Sequence, residues 1–338
     1  MKAIAIQHQF GLDALKPITL PDPEAGPGQL LVRIHVASLN YRDWMMVSGQ
    51  YNPHQSLPLV PLSDGAGEVA AIGEGVTRVK VGDRVAGIFT QAWLEGAYKP
   101  EYWRTSTLGG PLPGMLAEYA LLSEQGVVKL PDYLSYEEGA TLPCAAVTAW
   151  NGLFVAGDLQ PGETVLVQGT GGVSLFALQM AKMAGAQVFV TSGSDAKLEK
   201  AKALGAEGTV NYKTTPEWGE AVKALTGGTG VDHIIEVGGA GTLPQSFRAI
   251  RDGGHIAVIG VLAADGDDIN PIPILLKALR LSGILVGSRK MFEDMNRALT
   301  TSGLKPIIDR VFAFDEAGEA LAYLKSGSHF GKIVIRIA

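Results

Sequence analysis

The chain has 338 residues, 46% of them apolar, which is enough for two domains that each bury a core. Lys plus Arg number 28 against 34 Asp plus Glu, and the net charge of −6 argues against a nucleic-acid surface or an anionic membrane as main partner. Cys144 is the only cysteine, which excludes an intramolecular disulfide and any cysteine-rich zinc site.

Met1 to Gly11 reads as a short strand and a turn, not as the charged-then-apolar run of a signal peptide. No uninterrupted apolar stretch is long enough to span a bilayer, so a soluble, cytoplasmic protein is expected. Residues 1–125 read mostly as β, with strand-like runs at 3–7, 30–37, 67–72, 84–89 and 117–122. Turn residues separate them, among them Pro21 and Pro23, Gly26 to Gly28, Gly73 to Gly75, and Gly82 with Asp83. A compact antiparallel barrel or sandwich is expected. The piece 91–114, with Trp93, Tyr98, Tyr102 and Trp103, reads as a long loop, either a substrate lid or an edge-covering insertion.

From about residue 126 the pattern changes. Helical segments at 136–143 and 145–155 lead into a buried strand at 164–167, β-branched and aliphatic without alternation. Gly169, Thr170, Gly171 and Gly172 then make a tight turn, and 173–183 is helical. Strand, glycine turn and helix form the first unit of a dinucleotide fold. The glycines let the backbone approach a pyrophosphate, and the helix N-terminus from Val173 onward offers free N–H groups to that anion. The third glycine of the usual fingerprint is replaced by Ser174.

Strands at 187–191, 209–212, 231–237, 255–260 and 281–286 follow, alternating with helices at 195–204, 216–225, 242–250 and 272–279. That alternation predicts a doubly wound parallel sheet. Gly238 and Gly260 end successive strands, at the edge where such sheets bind ligands. The last fifty residues hold helices at 291–301 and 316–326 and strands at 306–314 and 332–337. The fold class is α/β, with a β-rich domain over 1–125, a cofactor domain over 126–288, and 289–338 returning to the first domain.

The cofactor choice turns on the end of the second strand. An acid there accepts from two ribose hydroxyls, whereas a 2′-phosphate needs hydroxyls and cations. This chain has Ser192, Gly193 and Ser194, with Lys197 and Lys200 following, no acid before Asp195, and Tyr212 at the end of the third strand. That set favours NADP(H). Asp195 is the residue that opposes it.

Six segments carry a resemblance to a known family. They are Ala37-Ser38-Leu39-Asn40-Tyr41-Arg42-Asp43, Ser63-Asp64-Gly65-Ala66-Gly67-Glu68-Val69 with Val81-Gly82-Asp83-Arg84-Val85, Ala140-Thr141-Leu142-Pro143-Cys144, the glycine turn, and Gly331-Lys332-Ile333-Val334-Ile335. From end to end the chain resembles the medium-chain dehydrogenase/reductase superfamily, in its zinc-lacking, quinone oxidoreductase-like branch. The resemblance implies a GroES-like catalytic domain made from both chain ends, an inserted Rossmann domain, an active site with the nicotinamide in the cleft between them, and a homodimer. Family alcohol dehydrogenases hold a catalytic zinc through a cysteine, a histidine and a further cysteine. Here Asn40 and Ser63 stand at the first two positions and only Cys144 remains, so no zinc is expected, since a catalytic zinc needs about three protein ligands.

Without a metal, hydrogen-bond donors must stabilise the charge that hydride transfer builds on oxygen. The resemblance turns Asn40 and Tyr41 toward the nicotinamide and sets Tyr51 over the substrate. Asn40 is the expected carbonyl donor, with Tyr41 or Tyr51 as donor or shape residue, and Arg42 and Asp43 as an ion pair. Thr148 and Lys332 resemble family contacts to the cofactor. The expectation is an NADPH-dependent, zinc-independent reductase of quinones or α,β-unsaturated carbonyls, which needs no flavin. The alternatives are an alcohol or aldehyde oxidoreductase of the same fold and a non-catalytic NADPH-binding sensor or crystallin-like protein.

Overall fold

The computed structural model describes residues 1–263 and 269–338. It divides into two units, one of Met1–Val147 with Gly287–Ala338 and one of Thr148–Val286. In the first unit, β1 (Lys2–Ile6) and β2 (Leu15–Thr19) form an antiparallel ribbon. The larger sheet contains β3 (Gln29–Ser38), β4 (Asp64–Ile72), β5 (Arg84–Gly87), β6 (Tyr119–Ser123) and β7 (Val127–Lys129). In β3, Leu30, Val32, Ile34 and Val36 are buried while Gln29 and Arg33 face solvent, the period of two that sets its register.

The second unit holds β8 (Thr164–Gln168), β9 (Gln187–Ser192), β10 (Gly208–Asn211), β11 (Val231–Glu236), β12 (Ile250–Val258) and β13 (Arg280–Gly283). All are parallel, in the order β10-β9-β8-β11-β12-β13. The strand order reverses between β8 and β11, the switch point where a crevice opens at the carboxyl ends of the strands. Leu166, Ile234 and Ile256 are fully buried across the sheet with Val222 from the covering helix Trp218–Leu225, which is why these strands lack alternation.

The chain then returns through β14 (Ile308–Ala313) and β15 (Lys332–Arg336). β15 runs antiparallel to β3, with Ile335 opposite Ala37, so both chain ends build one sheet. This is the α/β architecture expected, a β-rich unit from both ends with a doubly wound parallel sheet between.

Three expectations need correcting. The first segment ends at Val147 instead of residue 125, because β7 pairs with β5 and Tyr136 of the next helix stacks on His35 of β3 at 4.2 Å. The stretch 91–114 contains a helix, Pro100–Ser106, started by a proline at its first position. A helix also covers Tyr41–Val47, where the sequence reading assigns none.

Candidate functional site

The β-rich unit gathers a buried polar cluster where β3 hands over to helix Tyr41–Val47. Asn40 is the N-cap residue, in extended conformation, and its N–H donates to the Asp43 carboxylate at 2.8 Å. The same carboxylate accepts from the Ser63 N–H at 3.2 Å and from Arg42 at 3.1 Å. Arg42 also donates to the carbonyls of Leu108, Gly109 and Gly110, and its guanidinium lies 4.7 Å from the Tyr51 ring centroid. Arg42 and Asp43 are thus the ion pair expected, and they pin the loop that follows helix Pro100–Ser106.

Beside that pair, Lys332 from β15 donates to the Asn40 Oδ1 at 2.6 Å and to the Leu39 carbonyl. With its oxygen taken by the ammonium, the Asn40 amide points Nδ2 at Ser63 Oγ, 3.3 Å away. Ser63 Oγ donates to Asp64 Oδ1 at 2.9 Å, and Asp64 Oδ2 accepts the Cys144 N–H at 3.0 Å. Burial pushes the Asp64 carboxyl up to about 6, opposed by Lys332, and burial pulls the Lys332 ammonium down. Burial and the neighbouring Asp64 push the Cys144 thiol up, so it is held as a thiol and not as a reactive thiolate.

Tyr41 stands outside the cluster, 37% exposed, with its ring against Trp44. Tyr51 lies on the Arg42 side, where its phenol oxygen accepts from Trp103 Nε1 at 3.3 Å. Trp is a donor only, so this contact leaves the Tyr51 O–H free to donate elsewhere.

In the parallel-sheet unit, Gly169 adopts φ +73° to turn the chain out of β8, and Gly171 caps helix Gly172–Met183. Leu175 N–H returns to the Gly171 carbonyl, so the N–H groups of Gly172, Val173 and Ser174 have no partner within the helix. Thr170 is buried in the turn. Ser174, in place of the third glycine, is buried and donates to the Gln168 carbonyl at 2.7 Å, tying the helix to the strand end.

Below this turn lies a residue that the sequence reading did not single out. Glu236, at the end of β11 and without solvent exposure, accepts from Gln168 Nε2, Thr242 Oγ1, Ser246 Oγ and the N–H groups of Gly238 and Gly239. An acid directly after the apolar pair Ile234 and Ile235, at the strand's carboxyl end, was the available signal. A Cβ on Gly238 would stand 2.2 Å from Thr242 Oγ1, and one on Gly260 2.3 Å from the Val237 carbonyl. Both glycines are therefore required by the packing of the strand ends themselves.

Ser192 ends β9, and Ser194 is the N-cap of helix Asp195–Ala203, with Lys197 in its first turn. A Cβ on Gly193 would stand 2.8 Å from Tyr212 Oη and 2.9 Å from Lys213 Cε. Tyr212 and Lys213 therefore roof the Ser192–Ser194 turn, and Lys213 is a cation that the sequence reading passed over. The Asp195 carboxylate accepts from Asn211 Nδ2 at 2.7 Å. Thr148, buried, opens this unit.

The glycine turn, Ser192, Ser194, Tyr212, Gly238 and Gly260 all lie at the carboxyl-end edge of the parallel sheet. Lys332 belongs with Asn40 in the other unit, its ammonium already bonded to protein oxygens.

Residues 26–132 match the model of the alcohol dehydrogenase GroES-like domain, and residues 172–301 that of the zinc-binding dehydrogenase. A zinc-type alcohol dehydrogenase-like protein of Schizosaccharomyces pombe is 46% identical over 97% of this chain and 96% of its own. The chain belongs to the medium-chain dehydrogenase/reductase superfamily. Human quinone oxidoreductase is 28% identical over 99% of this chain and 97% of its own. A solved NAD-dependent alcohol dehydrogenase is 33% identical, with both chains covered in full and a TM-score of 0.92. As a member of this oxidoreductase family, the chain has the family's GroES-like unit and its NAD(P)-binding unit.

The N–H groups after Gly171 that have no partner within the helix, at the carboxyl-end edge of the parallel sheet, fit the pyrophosphate of a nicotinamide dinucleotide. A zinc ion, which the family name implies, fits less well. Among the described residues no group of three His, Cys, Asp or Glu gathers to hold a metal. The three positions that the sequence resemblance assigns to the family's ligands, Asn40, Ser63 and Cys144, offer an amide, a hydroxyl and one thiol.

Proposed function

We propose that the protein is an NADPH-dependent reductase that passes hydride to a quinone or an α,β-unsaturated carbonyl without a zinc ion. The observation that carries this reading is the end of β9, where Tyr212 and Lys213 pack over Gly193 between two serines and the nearest acid, Asp195, is bonded to Asn211. Hydroxyls and a cation suit a 2′-phosphate, and an acid already paired competes less for a ribose. Gly169 to Val173 take the pyrophosphate in this reading, and Ser192, Ser194, Lys197, Tyr212 and Lys213 take the adenosine phosphate. The bound cofactor supplies the hydride from its nicotinamide ring.

On the substrate side, Asn40, Tyr41 and Tyr51 are the proposed donors or shape residues. Tyr51 is supported by the Trp103 contact, which leaves its proton to give. The substrate is a small carbonyl or quinone. A homodimer is part of the same reading. It is supported by helix Ile272–Leu276, whose Leu275 and Leu276 are 79% and 78% exposed, just before the edge strand β13. No helix among the described residues is long and apolar enough to cross a membrane.

A second reading, an alcohol dehydrogenase of the same fold, is favoured by the names of two relatives. Chelator-treated protein supplied with NADPH or NADH and a small quinone or enone separates the two. Consumption preferring NADPH supports the reductase. Turnover only with NADH, an alcohol and added zinc supports the dehydrogenase, and NADPH binding without turnover of any acceptor supports a sensor.

A further inference from the structure

Asn40 and Ser63, which by resemblance stand at two of the family's three zinc-ligand positions, are buried together, and Cys144, at the third and half-buried, joins them through its N–H to Asp64. A cation is nevertheless present there. The Lys332 side chain, 3% exposed, reaches from β15 to the Asn40 Oδ1 at 2.6 Å and to the Leu39 carbonyl. Two carboxylates, Asp43 and Asp64, are fully buried in the same cluster. Asp43 has Arg42 at 3.1 Å as its partner. Asp64 has hydroxyl and N–H donors but no ion-pair contact of its own, so its charge must be balanced from nearby.

We infer that the Lys332 ammonium is the resident cation of this centre, standing where zinc-bearing relatives carry their metal, neutralising Asp64 and turning the Asn40 amide so that Nδ2 meets Ser63. A divalent ion at this place would meet a bonded ammonium instead of a lone pair, and one thiol instead of three ligands. The inference departs from the zinc in the family's name; it shares the zinc-free premise of the proposed function but not its choice of nicotinamide cofactor or substrate, and the Lys332 and Asp64 variants test it apart from them.

The test has two parts on the full chain. After incubation with zinc and desalting, the wild-type protein is expected to retain far less than one zinc per chain by plasma mass spectrometry. Lys332→Met is expected to lower the Tm by roughly 5 °C or more, because it strands a buried carboxylate. Asp64→Asn combined with Lys332→Met, which removes both charges, is expected to recover at least half of that loss. Stoichiometric zinc in the wild type would overturn the inference. So would a double variant no more stable than Lys332→Met alone, including the case in which neither folds.

Discussion

The Lys332 ammonium stands 2.6 Å from the Asn40 amide oxygen, although 292 residues separate them in the chain. The pairing of β15 with β3 makes this contact, since it lays the last strand beside the segment that ends at Asn40. The orientation of the amide follows from it, because an ammonium donates and only the oxygen can accept. Asn40 then offers its nitrogen to Ser63 and to whatever lies within reach of the second N–H.

If Asn40 is the carbonyl donor, Asn40→Ala lowers kcat by roughly 100-fold while leaving the Kd for NADPH within about twofold. Steady-state kinetics with an enone and a fluorescence titration of NADPH measure the two effects. A kcat within twofold of wild type would remove Asn40 from the chemistry.

Lys213 packs over Gly193 in the Ser192–Ser194 turn, and in the proposed reading its charge meets the 2′-phosphate. Lys213→Ala is expected to weaken NADPH binding about tenfold, the size of one charge-assisted hydrogen bond, and to leave NADH binding unchanged. Equal losses for both cofactors would show that Lys213 acts on the fold of the turn and not on the phosphate.

Glu236 is the hub beside the glycine turn, accepting from the end of β8, from the backbone after β11 and from the start of helix Leu243–Ala249. Glu236→Ala strands these buried donors together. It is expected to cost about 3 kcal/mol of stability in urea unfolding and to weaken both cofactors alike. Stability within about 0.5 kcal/mol of wild type would contradict the hub.

His255, without solvent exposure, has no hydrogen-bond partner for either ring nitrogen and packs against His233 at 5.7 Å. Burial pulls its pKa down to about 4. The unfolded chain binds the proton near the ordinary value of 6.5, so the stability held by neutral His255 is present above that pH and is lost as pH falls toward 4. His255→Leu should flatten this acid limb. Wild type is expected to lose about 2 kcal/mol more than the variant between pH 7.5 and 5 in urea titrations. Parallel curves would show that His255 does not titrate there.

The parallel sheet was legible because strands buried on both faces, such as β8 and β9, read as apolar runs without alternation, closed by Gly169 and Ser192. Helix Tyr41–Val47 was not. Its seven residues hold two aromatics and a buried ion pair, and its start was marked only by the capping-box spacing of Asn40 and Asp43, which the sequence reading passed over. Helix Pro100–Ser106 hid among turn-forming glycines and prolines, where only Pro100 marked its start. The site divided in the same way. Asn40 and the glycine turn stood out as local motifs, whereas Lys332 could not be joined to Asn40 until β15 was laid against β3. Lys213 and Glu236 act through contacts that a one-dimensional pattern does not carry.

Deuterium transfer tests the central claim most directly. Chelator-treated protein would be supplied with NADPH labelled with deuterium at C4 on one face or the other, together with an α,β-unsaturated ketone. Direct reduction without a metal predicts that one labelled form places deuterium on the β-carbon of the saturated product while metal analysis of the same sample finds no zinc. Product without label from either form, or transfer that appears only after zinc is restored, would contradict the account.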